Sequence, residues 1–284
     1  GNVDAGTGDA TLQSTISGNV TNQGYAKSTA AAVKLIADGG AVNQTGDITA
    51  GTSVLVRSLD ALTLNDHIIS GTTTDLISQN NVDLNGTIKS GSNATIDSQT
   101  GTTVDGSINS EDGVKITNHV SGTIDITGNV TAENDMSLSN ENATLIQGQT
   151  GISNTGKLTS DAGSVSAVAN SGDVILLQPD VTQNSVEAAK DLTLSTTNGT
   201  VAVDGKVKVG QDIKISSNTG KVAIGQADPN TTIDLTAGRN LIISTSNDST
   251  DANASSDIIA DGNLIGGGKV SVTAHKGNIN VAGN

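Results

Sequence analysis

The chain has almost no aromatic residues. It contains no Phe, no Trp and no Cys, and Tyr25 is its single tyrosine among 284 residues. Most globular domains fill a thick core with aromatic rings, because each ring buries a large area. A chain without these rings must either remain disordered or build a thin core from aliphatic side chains.

The chain is also poor in proline and in charged residues, which argues against disorder. It has two prolines, 15% of its residues are charged and 34% are hydrophobic. Disordered segments usually show the opposite pattern, with few β-branched residues and much charge or proline. Val, Ile and Thr recur along the chain, as is typical of strands. The composition therefore predicts an ordered all-β protein.

Basic residues are scarce as well. The chain has 14 Lys and Arg against 29 Asp and Glu, which gives a formal net charge of −15. Nucleic-acid binding depends on clustered Lys and Arg, so we expect no nucleic-acid partner. No apolar run is long enough to cross a bilayer, and we expect no membrane-spanning segment.

The first residues carry no recognisable export leader. The chain begins Gly-Asn-Val, without Met and without a basic stretch followed by an apolar one. An acidic surface without cysteine suits a secreted or surface-exposed bacterial protein, although the lack of cysteine alone does not fix the compartment. We expect residues 1–284 to be one segment cut from a longer polypeptide.

What the sequence does contain is a repeat, which should be sought before secondary structure. One run of similar stretches has steps of 20, 20, 20 and 22 residues and begins at Ile48, Ile68, Ile88, Ile108 and Val130. After a step of 28 residues, a second run has steps of 28, 21, 28 and 29 residues and begins at Leu158, Val186, Val207, Leu235 and Leu264.

Each stretch follows the same pattern of residue types. Position one is apolar, position three is usually small, position four is often Gly, and positions seven and nine are apolar. Position eleven is polar in Ser58, Ser78, Ser98, Asn118, Asn140, Thr196, Ser217 and Thr245. Alternation in short runs, broken by turn pairs such as Asn85-Gly86, predicts short half-buried strands. The Ala-rich residues 27–35 fit either a short helix or a strand.

Two all-β architectures were weighed against this repeat. An antiparallel sandwich has a thick core that normally holds aromatic rings. A parallel β-helix stacks equivalent strands of successive coils, and its crossover connections are strongly right-handed. The fixed repeat and the missing rings predict a right-handed parallel β-helix, or β-solenoid, with coils of about 20–22 residues and some longer insertions. We expect residues 1–284 to form a single β-helix.

Positions one, three, seven and nine are predicted to point into a narrow lumen. Turn residues such as Gly, Asn and Asp are expected at the corners because they tolerate positive φ. The predicted core ladder consists of Ile48, Val54, Val56, Ile68, Ile88, Ile96, Ile108, Val114, Ile116, Val130, Leu192, Leu194, Val207, Ile213, Ile215, Leu235, Leu241, Ile243, Val270 and Val272.

The sequence contains no motif for catalysis or for a cofactor. His67, His119 and His275 are not spaced as metal ligands, so we interpret them as solvated corner or loop residues. Most acidic residues, including Asp60 and Asp66, are interpreted as turn formers. We predict no catalytic residues, no cofactor and no metal. The one exception weighed is weak Ca²⁺ binding in a polar loop, through Asp248, Asp251 and Asp257.

Two stretches carry a resemblance to a known family. LTAGRNLIIST (235–245) and VKVGQDIKISS (207–217) resemble the repeats of filamentous haemagglutinin-like exoproteins. Members of that family are bacterial surface adhesins exported by two-partner secretion, a form of type V secretion. The resemblance implies cell adhesion and virulence, a location outside the bacterial cell, and an outer-membrane transporter as partner during export. It also implies a receptor or glycan on a host or bacterial cell.

Three functions remain open from the sequence. The first is a structural stalk or adhesion segment that projects a binding or effector region. The second is the stalk of a contact-dependent inhibition effector, which uses similar repeats. The third is a polysaccharide-acting β-helix enzyme, which would need convergent carboxylates. Binding is expected on the loops where the period stretches: residues 141–157, 176–185, 225–233 and 246–262.

Overall fold

The computed structural model describes residues 1–146, 148–178, 183–226, 233–246 and 256–283. Within these ranges every regular element is a β-strand, and no helix is present. The chain divides into two compact units, Gly1–Asn134 and Asp135–Asn284. Both units have the same kind of architecture.

Unit one, Gly1–Asn134, is a succession of short strands. They are β1 (Val3–Asp4), β2 (Ala10–Ser14), β3 (Val20–Asn22), β4 (Ala26–Ser28), β5 (Val33–Ala37), β6 (Val42–Gln44), β7 (Ile48–Ala50), β8 (Val54–Ser58), β9 (Leu62–Leu64), β10 (Ile68–Ser70), β11 (Thr74–Ser78), β12 (Asn81–Leu84), β13 (Thr87–Ser90), β14 (Ala94–Ser98), β15 (Gly101–Val104), β16 (Ser107–Ser110), β17 (Val114–Asn118), β18 (Ile124–Ile126) and β19 (Val130–Ala132).

Every third strand of unit one joins the same parallel sheet. The first sheet has the order β1-β4-β7-β10-β13-β16-β19, the second β2-β5-β8-β11-β14-β17, and the third β3-β6-β9-β12-β15-β18. Each coil therefore contributes one strand to each of three sheets before the chain returns to the first sheet, one strand further along.

Unit two, Asp135–Asn284, continues the strand numbering. Its strands are β20 (Met136–Asn140), β21 (Thr150–Asn154), β22 (Leu158–Ser160), β23 (Val165–Ala169), β24 (Asp173–Leu177), β25 (Asn184–Ala188), β26 (Leu192–Thr196), β27 (Val201–Asp204), β28 (Lys206–Val209), β29 (Ile213–Ser217), β30 (Val222–Ile224), β31 (Ile233–Ala237), β32 (Leu241–Thr245), β33 (Ile258–Ala260), β34 (Gly262–Gly266), β35 (Val270–Ala274) and β36 (Ile279–Val281).

The strands of unit two are again paired in parallel at every third position. The three sheets have the orders β22-β25-β28-β31-β34, β20-β23-β26-β29-β32-β35 and β21-β24-β27-β30-β33-β36. This topology confirms the predicted fold class: the chain is all-β, and its coils are consistent with a right-handed parallel β-helix.

The strand register follows the sequence repeat. Ile68 pairs with Ile48 on one side and with Ile88 on the other. In unit two, Val207 pairs with Val186 and with Leu235. Position one of each repeat is therefore the same structural position in each coil, and the step between repeats is the length of a coil.

The lumen is filled by the inward side chains of the alternating strands. In β8, Val54, Val56 and Ser58 are buried, Leu55 is half-buried and Arg57 is exposed. All residues of the predicted core ladder except Val270 and Val272 are exposed by 2% or less. A single coil cannot enclose these side chains, so each is covered by the coils on both sides.

Val270 and Val272 are the exceptions: Val270 is 44% exposed, and Val272 is partly exposed. Their strand, β35, pairs with β32, where Val270 lies beside Leu241 and Val272 beside Ile243. Leu241 and Ile243 are fully buried. Both valines therefore occupy the register of the predicted core ladder.

A polar column runs beside the aliphatic ones at position eleven. Ser58 and Ser78 are buried, and their hydroxyl oxygens lie 3.2 Å apart. The backbone carbonyl oxygen of Asp60 lies 2.7 Å from each of these hydroxyls. Further along, the Asn118 side-chain amide donates to the Ser121 carbonyl at 2.7 Å. These hydrogen bonds satisfy polar groups that would otherwise be costly to bury.

The Ala-rich residues 27–35 form no helix. They include the end of β4, a turn and the start of β5. Val33 and Leu35 are fully buried, and they pair with Val54 and Val56 of the next coil. Stacking on an existing coil therefore decides the conformation of a segment whose composition suits either structure.

Where position four is glycine, as at Gly71 and Gly238, close approach between coils favours it and positive φ does not. Neither Gly71 nor Gly238 adopts positive φ. A Cβ atom at Gly71 would overlap the backbone carbonyl oxygen of Gly51, and one at Gly238 would overlap that of Gly210. The corners of successive coils pack too closely there for any side chain.

The substitution Gly71→Ala tests this packing. Because the new methyl group meets backbone and not a flexible side chain, we expect a loss of about 1–3 kcal/mol in the free energy of unfolding. Urea unfolding followed by circular dichroism measures it. Gly8→Ala is the matched control, since its nearest neighbour would lie 4.0 Å away. Equal stabilities of the two variants would contradict the close-approach explanation.

A pair of adjacent substitutions tests the inward assignment. Ile108 is 1% exposed and its neighbour Asn109 is exposed. We expect Ile108→Asp to lower the free energy of unfolding by more than about 3 kcal/mol, because it places an unpaired carboxylate in the lumen. Asn109→Asp should change it by less than about 0.5 kcal/mol. Similar unfolding midpoints for both variants would show that the assignment is wrong.

Candidate functional site

Stacking brings together residues that are one coil apart in sequence. Neighbouring strands in a sheet lie about 4.8 Å apart, so outward side chains at equivalent positions of successive coils are within contact distance. Charged and polar residues at the corners therefore form clusters that have no linear motif. Three such places stand out in the described residues: a His–Asp corner in unit one, and an Arg–Asp corner and an open groove in unit two.

The His–Asp corner consists of Asp47, Asp66 and His67. Asp47 and His67 occupy equivalent positions, because they precede the paired residues Ile48 and Ile68. The His67 Nδ1 atom lies 2.5 Å from Asp66 Oδ1 and 3.4 Å from Asp47 Oδ1. One ligand atom from each of the three side chains lies within 4.8 Å of the others.

The charges at this corner influence one another. The hydrogen bond that the His67 imidazole donates to the Asp66 carboxylate raises the pKa of His67 above its ordinary value, and the Asp47 carboxylate adds to the effect. The same hydrogen bond lowers the pKa of Asp66. The His67 side chain is 61% exposed, so solvent reaches the cluster. The arrangement can hold a proton between two carboxylates, or a metal ion.

The sequence predicts His67 to be a solvated corner residue and Asp66 to be a turn former. Ligand spacing along the chain does not reveal their convergence with Asp47, because Asp47 lies one coil away. The signal was nevertheless present in the repeat: a step of 20 residues places position 47 directly beside position 67. Aligning the outward positions of successive repeats, as well as the inward ones, places Asp47 beside His67.

The other two histidines lie outside this cluster. His119 Nε2 lies 3.1 Å from Asp97 Oδ1, across one coil. His275 is exposed, and its backbone amide donates to the Thr245 carbonyl at 3.1 Å. Among the residues that the structure describes, Asp47, Asp66 and His67 form the one group of three potential ligands from His, Asp or Glu.

One of the three residues considered for weak Ca²⁺ binding lies within the described residues. Asp248 and Asp251 lie outside the described residues. Asp257 is described, and its Oδ1 atom accepts a hydrogen bond of 2.7 Å from the backbone amide of Asn278. Parts of the four segments predicted to carry binding also lie outside the described residues, namely 147, 179–182, 227–232 and 247–255.

The Arg–Asp corner of unit two connects three coils. The Arg239 guanidinium donates from Nε and from a terminal nitrogen to the two Asp212 carboxylate oxygens, at 2.8 and 2.7 Å. Asp212 also accepts from the Asn240 backbone amide at 2.9 Å, and Asp191 Oδ1 lies 3.9 Å from Arg239. The Arg239 hydrogen bonds are the main cause that lowers the pKa of Asp212 to about 2.

An open groove of about 510 Å³ crosses several coils of unit two. It is lined by Thr159, Ser160, Asp161, Glu187, Ala188, Ala189, Lys208, Val209, Gly210, Thr236 and Gly238. The small residues at the corner make the depression, and outward residues of β22, β25, β28 and β31 form a row of hydroxyl and charged groups beside it. Such a surface suits reversible binding of a polar ligand.

Glu187 is one of two acidic residues that line this groove, beside Asp161. Its Oε2 atom lies 2.9 Å from Lys157 Nζ, and its Oε1 atom accepts from the Asn184 amide at 2.6 Å. The hydrogen bond from Lys157, followed by that from Asn184, lowers the pKa of Glu187. The carboxylate is therefore ionised at neutral pH and acts as an acceptor and not as a proton donor.

Comparison with known proteins adds no relative: no family model matches the chain, and neither a curated protein nor a solved structure gives a match. None of the elements in the described ranges is a helix of the length and hydropathy needed to cross a membrane. The functional proposals therefore depend on the fold and on the side chains that it brings together.

The Arg–Asp corner gives a prediction about pH. The pKa of Asp212 is depressed from 3.8 to about 2. Its contribution to stability is therefore complete above about pH 4 and is lost as the pH falls towards 2. Replacing Arg239 by Gln should return the pKa of Asp212 towards 3.8 and weaken the pH dependence of the unfolding midpoint between pH 2 and 4.

Carboxyl-detected NMR titration and thermal melts across this range measure both effects. Arg57→Gln is the matched control, because Arg57 binds Asp38 at 2.6 Å in unit one. It should leave the Asp212 titration unchanged. An Asp212 pKa that stays near 2 in the Arg239→Gln variant would show that the guanidinium is not the main cause.

Proposed function

We propose that this chain is a structural stalk segment of a bacterial surface adhesin of the filamentous haemagglutinin-like kind. In this role it spaces a binding or effector region away from the cell surface and offers its own outer face for contact. The observation that carries the proposal is the in-register stacking of equivalent residues through successive coils in each unit. A solenoid extends by adding coils, and each added coil repeats the same interface.

The hydrogen bonds of the fold support a mechanical role. They run from coil to coil: the Ile48 amide donates to the His67 carbonyl at 2.8 Å, and the Val54 amide donates to the Thr73 carbonyl at 2.9 Å. Three such ladders act in parallel at every coil of a unit. Separating two coils requires breaking all three ladders and exposing the lumen to water, so the stack resists extension.

The outward side chains can vary without disturbing the packing of the inward ones, and this freedom suits an adhesive surface. In the first sheet of unit one, the inward residues Ile48, Ile68 and Ile88 are alike. The outward residues beside Ile68 and Ile88 are Ile69 and Lys89, which share neither charge nor shape. The groove beside Glu187 and Lys208 is a place on unit two where a polar ligand such as a glycan would find hydrogen-bonding groups.

The stalk of a contact-dependent inhibition effector would have the same mechanics, and it would differ in the region that the stalk carries. Export outside the cell through an outer-membrane transporter also belongs to this proposal. Its support is the resemblance of LTAGRNLIIST and VKVGQDIKISS to the adhesin repeats, together with the solenoid architecture.

Deletion of a whole coil tests the stalk proposal. Removing residues 68–87 takes out one 20-residue step and joins residue 67 to Ile88, which occupies the same position as Ile68. Displayed on a bacterial surface with a distal epitope, this variant should fold, expose the epitope and support cell adhesion at nearly the level of the full chain. Removing residues 68–77 is the matched control, since half a coil breaks the register.

Adhesion to host cells, epitope exposure and glycan turnover are measured together. The proposal requires that the full chain raises adhesion, that the half-coil deletion abolishes it, and that no glycan is cleaved. Turnover of a glycan that is lost in Glu187→Gln would replace the stalk with a polysaccharide-acting enzyme. Adhesion equal to that of cells without the displayed chain would reject an adhesive role.

A further inference from the structure

We propose that Asp47, Asp66 and His67 form a binding site for a transition-metal dication of the Zn²⁺ type, which links two successive coils of unit one. The proposal concerns one corner of the solenoid and does not depend on the stalk function. It follows from the geometry of the three side chains, the types of ligand that they offer, and the position of Asp66 in its column.

The geometry places three donor atoms on one side of the corner. Besides its contacts with His67 Nδ1, Asp66 Oδ1 accepts from the His67 backbone amide at 3.1 Å, and Asp47 Oδ1 accepts from the same amide at 3.3 Å. Both carboxylates are thus oriented towards the imidazole. Two ligands about 2.0–2.2 Å from a tetrahedral Zn²⁺ ion are about 3.3–3.6 Å apart. The distance of 3.4 Å between His67 Nδ1 and Asp47 Oδ1 matches this spacing. Asp66 Oδ1 is hydrogen-bonded to Nδ1 at 2.5 Å, so it would move about 1 Å away from Nδ1 when the ion replaces the shared proton.

The donor types select the class of metal. Imidazole nitrogen suits Zn²⁺, Cu²⁺ and Ni²⁺, and carboxylates complete such sites readily. Ca²⁺ instead takes six to eight oxygen ligands and gains little from an imidazole. Two carboxylates with one histidine therefore favour Zn²⁺ over Ca²⁺. The side chains are partly exposed, so water can fill the remaining coordination positions.

Asp66 occupies a corner column where the neighbouring coils have glycine. The equivalent residues, two positions before Ile48 and Ile88, are Gly46 and Gly86. A Cβ atom at Gly46 would lie 2.5 Å from the Gly24 carbonyl oxygen, and one at Gly86 would overlap the Asp66 carbonyl oxygen. Close approach between coils therefore favours glycine at these two positions of the column. The carboxylate of Asp66 is an addition to the repeat, and it points to His67.

The bound ion would join two coils. Asp47 directly precedes Ile48. Asp66 and His67 directly precede Ile68, which is the equivalent residue one coil later. In the unfolded chain a flexible segment separates Asp47 from the adjacent Asp66 and His67. The ion therefore binds the folded state in preference and stabilises it by mass action. A protonated imidazole between the carboxylates is the alternative occupant, and it requires no metal.

Zinc titration of the folded chain, without a polyhistidine tag, tests the site. We expect one equivalent of Zn²⁺ to bind in calorimetry at neutral pH, to raise the melting temperature and to shift the ring ¹⁵N signals of His67. CaCl₂ at the same concentrations should produce none of these changes. The wild-type ring signals identify the ligand even if a variant fails to fold.

Substitutions assign the binding to the three residues. His67→Gln and Asp47→Asn should each weaken Zn²⁺ binding at least about tenfold, the scale on which even outer-shell changes act. His119→Gln is the matched control, because His119 lies outside the Asp47–Asp66–His67 cluster and its Nε2 contacts Asp97. It should leave the affinity and the thermal shift unchanged. Circular dichroism without metal verifies that each variant is folded.

Two outcomes would overturn the proposal. One is the absence of stoichiometric Zn²⁺ binding by the folded wild-type chain, which would leave a protonated His67 as the occupant of the corner. The other is binding that shifts His119 or His275 instead of His67, or that persists unchanged in His67→Gln. Either result would leave the stalk proposal untouched, because that proposal does not depend on a metal at this corner.

Discussion

Contact between equivalent residues of successive coils is the interaction on which the rest of each unit depends. Leu76 is fully buried because Val56 lies on one side of it and Ile96 on the other. The inter-strand spacing fixes the distance between such layers. Aliphatic side chains fill layers of this depth, whereas a large ring would push neighbouring coils apart. The composition of the chain, without Phe or Trp, is a consequence of that spacing.

The same spacing governs the outer surface. Asp47 meets His67, and Arg239 meets Asp212, because each pair is one coil apart in the fold. On such a surface, the side chains that interact come from equivalent positions of successive coils and not from one linear motif. A corner can therefore acquire a cluster of charged or metal-binding groups by substitution at one position of each coil, while the lumen keeps its aliphatic side chains.

Stacking also connects the fold to the proposed role as a stalk. Every coil is held to its neighbours by the same three hydrogen-bonded ladders. A pulling force on the unit is therefore shared among the three ladders at each coil interface. The close approach of the corners, where a Cβ at Gly71 would overlap the Gly51 carbonyl oxygen, limits sliding of one coil over another. The outer face remains free to vary, as the contrast between Ile69 and Lys89 shows.

The sequence by itself determined the coil and its inward face. A parallel stack keeps its register only if successive coils return to the same position, so the period and the alternation at Val54 and Val56 were sufficient to predict the fold. The tertiary structure decided what depends on neighbours. Asp47 and His67 meet because stacking places them in adjacent coils, and Asp66 turns to His67 because the corner path brings them together. Alternation specifies which side chains point inward, but contacts between outward side chains depend on corner geometry, which a repeat pattern does not encode.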